Sequence, residues 1–503
     1  MRQRTSYLNF GIISMTSFIG IVNSFYYLNF EIMLTLCAVE ILILFYTFFR
    51  KNYGQYICLY LIFLAFSMES ENFVGDADFY GFKNFRLFGV NLATLMIIPI
   101  ALKAIINFNK FKLLNYELFS VLKMLTYFTV IGSIMGVIIY VLDDYGFSSK
   151  EGSLKEMVNT YYYFFIPYVT FLSLSWGILN DPKAVPRIKQ YLFSCIPATA
   201  IVFSFCYIFG NYGNRMGNES LQVSEIYFIL VSSLVLISFH DFSTREKFVI
   251  LVSGSIIALL SIMYNASGKI LIMVMITPLI WLFIYLKQSA VRFQLKHILG
   301  ILLFLFVMLQ ITPKILGYEN NVLIAKTNDI SGLISFVTTG DLKLIPDSPM
   351  MRISEFINVG YEYIIHPWFL FFGKGFIGSV QDHLGLFPTL NEFDFSEWQL
   401  ELEAYHSLHE SFNVFFLTGG LAGLYILVKS LYIAFHNINY SPWLVFGGIW
   451  LLFFYGYHMN VSIFGITCLV IGLYEVNNRK IKDAECLTEK GDSILYVNKI
   501  VSK

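Results

Sequence analysis

Long apolar runs alternate with short polar connections along nearly the whole chain. The runs cover residues 8–28, 31–49, 55–69, 86–106, 118–142, 160–179, 191–209, 222–240, 248–264, 270–286, 297–312, 409–434, 442–457 and 460–475. A helix needs about 20 apolar residues to cross the roughly 30 Å hydrocarbon core of a bilayer. By that measure about 14 spans are predicted, with 12 or 13 as the lower count because the runs at 55–69 and within 442–475 are short. The fold class that follows is an all-α polytopic membrane protein.

One stretch departs from the pattern. Between about Thr312 and His409 the chain turns polar and stays so, which predicts one large loop containing helices. Arg352 opens a helical spacing of apolar positions at Ile353, Phe356, Ile357, Tyr361 and Ile364, the pattern of a helix lying on the membrane surface or packed against the bundle. Pro367 ends that helix, Trp368 suits an interfacial anchor, and Gly373-Lys374-Gly375 permits a tight turn. The chain thus divides into an N-terminal bundle (1–311), the loop (312–408), C-terminal spans (409–475) and a tail (476–503). No soluble domain boundary, low-complexity linker or internal repeat is legible.

Lysine and arginine fix the orientation, because short loops rich in them stay in the cytoplasm. Alternate connections hold Arg50 and Lys51, Lys110 and Lys112, Lys183, Arg187 and Lys189, Arg245 and Lys247, Lys287, Arg292 and Lys296, and Arg479, Lys480 and Lys482. The intervening ones hold only scattered bases such as Lys83, Lys155, Arg215 and Lys269. Both termini are therefore expected in the cytoplasm and the large loop outside. The first run lacks a small-residue cleavage site and reads as an uncleaved first helix.

Composition narrows the function classes. Hydrophobic residues make up 57 % and charged residues 14 % of the chain, and the mean hydropathy is +0.65. A formal net charge of +0 and the absence of a basic patch argue against nucleic acid as a partner. Cys37, Cys58, Cys195, Cys206 and Cys468 fall in apolar runs and Cys486 in the tail, so neither a disulfide framework nor a cysteine zinc site is indicated.

The bases on the outer side are the informative ones. Arg215, Lys269 and Arg352 lie in outward loops, and guanidinium and ammonium groups gathered there suit a lipid diphosphate; each taken singly also reads as a solvated or snorkelling side chain. At the start of the run near 409, His406, His409 and Glu410 are spaced to share a helix face. A histidine at a helix N-terminus tends to stay neutral and able to take a proton, as a general base for a sugar hydroxyl must. An interfacial polar cap is the plain alternative, and a metal site ranks lower. The loop holds roughly one dozen acids, Glu355, Glu362, Asp382, Asp394, Glu397, Glu401 and Glu403 among them, and most read as solvated; Glu401 and Glu403 lie near enough in sequence to orient a histidine or act as the base.

These residues resemble a known family. The segment from His409 through Phe412 to Gly420-Leu421-Ala422-Gly423-Leu424 resembles the signature of the O-antigen polymerase and O-antigen ligase superfamily. Arg352 with Pro367 and Gly373-Lys374-Gly375, Arg215-Met216-Gly217-Asn218, and Ser267-Gly268-Lys269 are similar to its other elements. Glu410 stands where many members carry asparagine, and Lys269 stands one residue late for an arginine. The likeness covers roughly 210–425.

What the resemblance implies is a metal-independent, cofactor-free, inverting glycosyltransferase of the membrane-embedded, GT-C-like class in the bacterial cytoplasmic membrane. Its donor and acceptor would be undecaprenyl-diphosphate-linked glycans. Arg215 and Arg352, with Lys269, would bind the leaving diphosphate, and His409 would serve the acceptor hydroxyl, with His406 a neighbour. A chain-length regulator and a flippase are the protein partners such an enzyme implies. The long loop and the number of spans favour a polymerase of O-antigen or capsule repeat units over a ligase transferring polymer to lipid A-core. A flippase or other transporter, the alternative from another class, would line a central cavity with in-span charges, of which Glu40, Lys103 and Lys123 are the few present.

Overall fold

The computed structural model describes residues 6–67, 80–87, 90–142, 154–181, 183–209, 242–264, 344–387, 408–453 and 459–489, with single residues or pairs between 332 and 340 and at 395, 399–400, 403–405 and 455. The expected spans at 222–240, 270–286 and 297–312 lie outside them. The described chain is mostly helical, and four of its helices are long and apolar enough to cross a membrane.

Asparagine opens the first three helices. Asn9, Asn29 and Asn52 each turn a side-chain oxygen onto an amide of the first turn, capping α1 (Phe10–Tyr26), α2 (Phe30–Phe49) and α3 (Tyr53–Phe66). α3 is apolar on all sides and almost wholly buried, so it is the bundle's centre, enclosed by protein rather than lipid. Where a span was expected to begin, β1 (Arg86–Leu87) and β2 (Val90–Asn91) instead pair antiparallel; only then does α4 (Leu92–Ile106) start. A short α5 (Phe108–Leu114) leads to α6 (Tyr116–Leu142), α7 (Leu154–Asn180), α8 (Ala184–Ile208) and α9 (Thr244–Tyr264).

After the large loop's helices, α10 (Asp347–Ile365) and α11 (Phe369–Phe372), come α12 (Ser411–His436), α13 (Trp443–Phe453) and α14 (Met459–Glu489). The last of these extends well past 476, so the first part of the expected tail is a continuation of the final helix. α6, α7, α12, α13 and α14 pack together, with the Phe128 ring stacked on Phe415 at 3.9 Å and Tyr455 set edge-on to both. α1, α8 and α9 form a second group, joined to the first through α3.

Polar ties cross between distant segments at one end of the bundle. Lys189 pairs with Glu475 at 2.6 Å, Lys480 with Glu117 at 2.6 Å, and Glu475 also accepts from Ser441. Glu246, in the first turn of α9, accepts from Ser6 and from the amides of Tyr7 and Leu8. Every residue in these ties lies in, or at the adjoining end of a run beside, a connection that the charge pattern and its alternation assign to the cytoplasm. Of the in-span charges, Lys103 lies over the Phe48 and Tyr53 rings, Lys123 is exposed and Glu40 is buried.

Candidate functional site

α10 begins earlier than its apolar spacing predicts, at Asp347 after Pro346, and ends before Pro367. Its two faces are inverted relative to a soluble helix. Ser354, Glu355, Asn358 and Glu362 are buried, whereas Ile353, Phe356, Ile357 and Ile364 are exposed, the last to 76 %. The acids read as solvated therefore point inward, and each finds a partner there.

Along this polar face the pairs follow in order. Arg352 Nε donates to Glu410 Oε1 at 2.5 Å. Glu355, fully buried, meets His409 Nδ1 at 2.5 Å through Oε1 and accepts from the His409 amide and from Asn413 Nδ2 at 2.8 Å. Asn413 also donates to the Arg352 carbonyl at 2.9 Å. Asn358 donates to Asp382, which in turn accepts from the amides of Leu386 and Phe387. Glu362 holds Lys374 Nζ at 3.1 Å and His383 Nε2 at 2.7 Å, and Lys374 donates on to the Ser379 carbonyl. Burying a charged carboxylate is costly unless its oxygens are saturated in this way.

Chemically, the Glu355 and His409 pair is the most useful of these. The carboxylate accepts from Nδ1–H, which fixes the tautomer and leaves Nε2 able to take a proton, and it stabilises the positive ring that results. Phe395 packs edge-on against the imidazole at 5.6 Å and so holds its plane. Arg352 lies one turn before Glu355 on the same helix, which sets a cation beside this pair.

The described residues just before α12, 408–410, are not helical as the histidine spacing predicts. Val380 and Tyr405 exchange backbone bonds at 2.9 Å as an isolated bridge, and α12 starts only at Ser411 with Glu410 in extended conformation. His409 thus precedes the helix, and its electrostatic partner is Glu355 rather than the helix end. Glu403 is exposed at a left-handed turn (φ 51°), outside the contacts that orient His409. Burial, with Glu403 and Asp382 nearby, pushes the Tyr405 phenol above its ordinary value. Glu410 holds the Arg352 guanidinium.

The turn at Gly373 to Gly375 has a structural partner. α12 is broken at Gly420, whose φ of 58° and ψ of −145° interrupt the helix. The break leaves carbonyls just upstream without their usual amides four residues on. Tyr363 Oη donates to the Phe416 and Leu417 carbonyls, Lys374 N to Leu417 O at 2.8 Å, and Gly375 N to Thr418 O at 3.0 Å. Only glycine fits here: a Cβ on Gly420 would meet Leu370 O at 2.5 Å, and one on Gly375 would collide with the Gly136 backbone of α6.

Of the predicted site residues, the structure brings Arg352, His409 and Glu410 together. Arg215, Lys269 and His406, like Glu401, lie outside the described residues. Glu355, Asn413, Glu362 and His383 are additions that the sequence reading did not select. No protein-family model and no curated protein matches the chain.

Proposed function

We propose that the protein is a membrane-embedded glycosyltransferase that polymerises undecaprenyl-diphosphate-linked repeat units into O-antigen or a capsular polysaccharide. The observation that carries the reading is the Glu355 and His409 pair set one helical turn from Arg352. The motif likeness around His409 to Leu424 supports the same class. In the full reading the chain has about 14 spans of GT-C-like type, lies in the bacterial cytoplasmic membrane with both termini inside, and works at the outer face.

His409 Nε2 takes the proton of the acceptor hydroxyl as its oxygen attacks the anomeric carbon. The bond from that carbon to the donor diphosphate breaks on the opposite side, which inverts the configuration. Negative charge passes to the departing diphosphate, where Arg352, held by Glu410, stabilises it together with Arg215 and Lys269.

The test is the surface polysaccharide of cells carrying His409→Ala, Arg352→Ala or Arg215→Ala, run on a gel with membrane levels of each variant checked. A single repeat on its normal anchor is the expected result. Long polymer left on the lipid carrier would make the protein a ligase. Unchanged polysaccharide at normal protein levels would overturn the site.

A further inference from the structure

The large loop reads from sequence as an element outside the membrane. Its contacts give it a depth. The Gly373 to Phe376 turn bonds to carbonyls of Leu417 and Thr418 in α12 and of Gly132 in α6, both helices long and apolar enough to span. At 1.5 Å per residue, Thr418 lies about 10 Å along α12 from its first residue, Ser411. Gly132 lies about 15 Å along α6 from its outer end at Leu142. Two spans thus agree that the turn is well below the outer helix ends.

The approach to that turn is oblique. Arg352 is level with Glu410, the Phe356 ring packs on Phe412 and Phe416, and Tyr363 reaches the Phe416 and Leu417 carbonyls. While α10 advances eleven residues, from 352 to 363, its contacts on α12 advance about half as many. The polar face of α10 is covered by the returning chain at 379–387, through Ser354 to Leu386, Asn358 to Asp382 and Glu362 to His383. The opposite face, with Phe371, Phe372 and Trp368 beyond it, is exposed.

That face is continuous with the exposed apolar side of α12, where Phe412 is followed by Leu421, Tyr425 and Val428. Non-helical backbone is tolerated at membrane depth only when protein encloses it, and residues 373–380 are all buried. We propose that residues 347–380 form a re-entrant wedge in the outer leaflet, its underside of Ile357, Ile364, Phe371 and Phe372 in contact with lipid acyl chains. The wedge rests on the membrane-spanning character of α6 and α12 and on the orientation that the charge pattern gives them, so it stands whether or not the protein transfers sugars.

Spin labels test it in full-length protein reconstituted into phospholipid nanodiscs. Ile353→Cys, Ile364→Cys, Phe371→Cys and Leu384→Cys place labels at exposed positions, and the unsubstituted protein reports any labelling of native cysteines. Molecular oxygen concentrates in hydrocarbon and a nickel chelate in water. Oxygen should collide more often than nickel at 364 and 371, the ratio should rise from 353 to 371, and 384 should favour nickel. Nickel-dominated collision at 364 and 371, equal to that at 384, would overturn the wedge. A second measurement leaves these positions untouched: brominated phospholipid should quench a fraction of the native fluorescence that Trp368→Phe removes, and no such fraction would also count against it.

Discussion

Glu355 is the residue on which the site turns. Its two oxygens receive the His409 ring, the His409 amide and the Asn413 amide. Exchanging it for glutamine keeps the size and removes the charge that supports a protonated imidazole. Glu355→Gln should therefore lower the rate of polymer formation by about 100-fold or more, by analogy with loss of the carboxylate from a hydrolase triad, at unchanged membrane level. Asn413→Ala leaves the Arg352 carbonyl and one Glu355 oxygen short of a donor, and should cost about 1–3 kcal/mol in thermal unfolding. His409, Arg352 and Glu410 were legible in the sequence because cations and histidines outside a membrane are few. Glu355 was not, because a helix with acids on one side and isoleucines on the other reads as acids-out. Its true signal is the spacing of Arg352, Glu355, Asn358 and Glu362 on one face, which becomes meaningful only once the apolar side is known to face outward.

At the scale of elements, α10 and α12 depend on each other through a single interruption. The unwound carbonyls of α12 are saturated by Tyr363, Lys374 and Gly375, so helix break and turn form together. Gly420→Ala forces a side chain into a positive-φ backbone that is essentially glycine-only and against Leu370 O; the first effect alone costs about 1–3 kcal/mol. Its melting temperature in detergent should fall, and Gly375→Ala, which collides with α6 backbone, should yield no monodisperse protein by size-exclusion chromatography. Gly360→Ala is the contrast, since nothing lies within 4 Å of its Cβ position, and a gain of up to about 1 kcal/mol is expected from helix propensity. Most helices were visible as apolar runs. The break at Gly420 was hidden, because Gly419 and Gly420 sit inside an unbroken apolar run and small residues are common in membrane helices for packing reasons alone.

For the molecule as a whole, one end is laced by charged and polar pairs whose partners lie far apart in sequence. Glu246 ties the start of the chain to α9 across about 240 positions. Glu246→Ala removes acceptors from the Tyr7 and Leu8 amides and from Ser243, and should lower the melting temperature by several degrees while leaving polysaccharide length unchanged. Positive-inside reasoning grouped these segments on one side without any knowledge of their contacts. It had no way to place β1 and β2, where strand pairing took four residues from a run that looked helical.

The broken helix also orders the protein's birth. The Lys374 and Gly375 amides leave the ribosome before Leu417 and Thr418, whose carbonyls they will meet. Until α12 is threaded into the bilayer those amides have no protein acceptor, and hydrocarbon supplies none. The turn must therefore wait at the watery surface and settle only after a later segment has arrived. A nascent chain stopped before Ser411 would carry every residue of the turn and still have nowhere to put it.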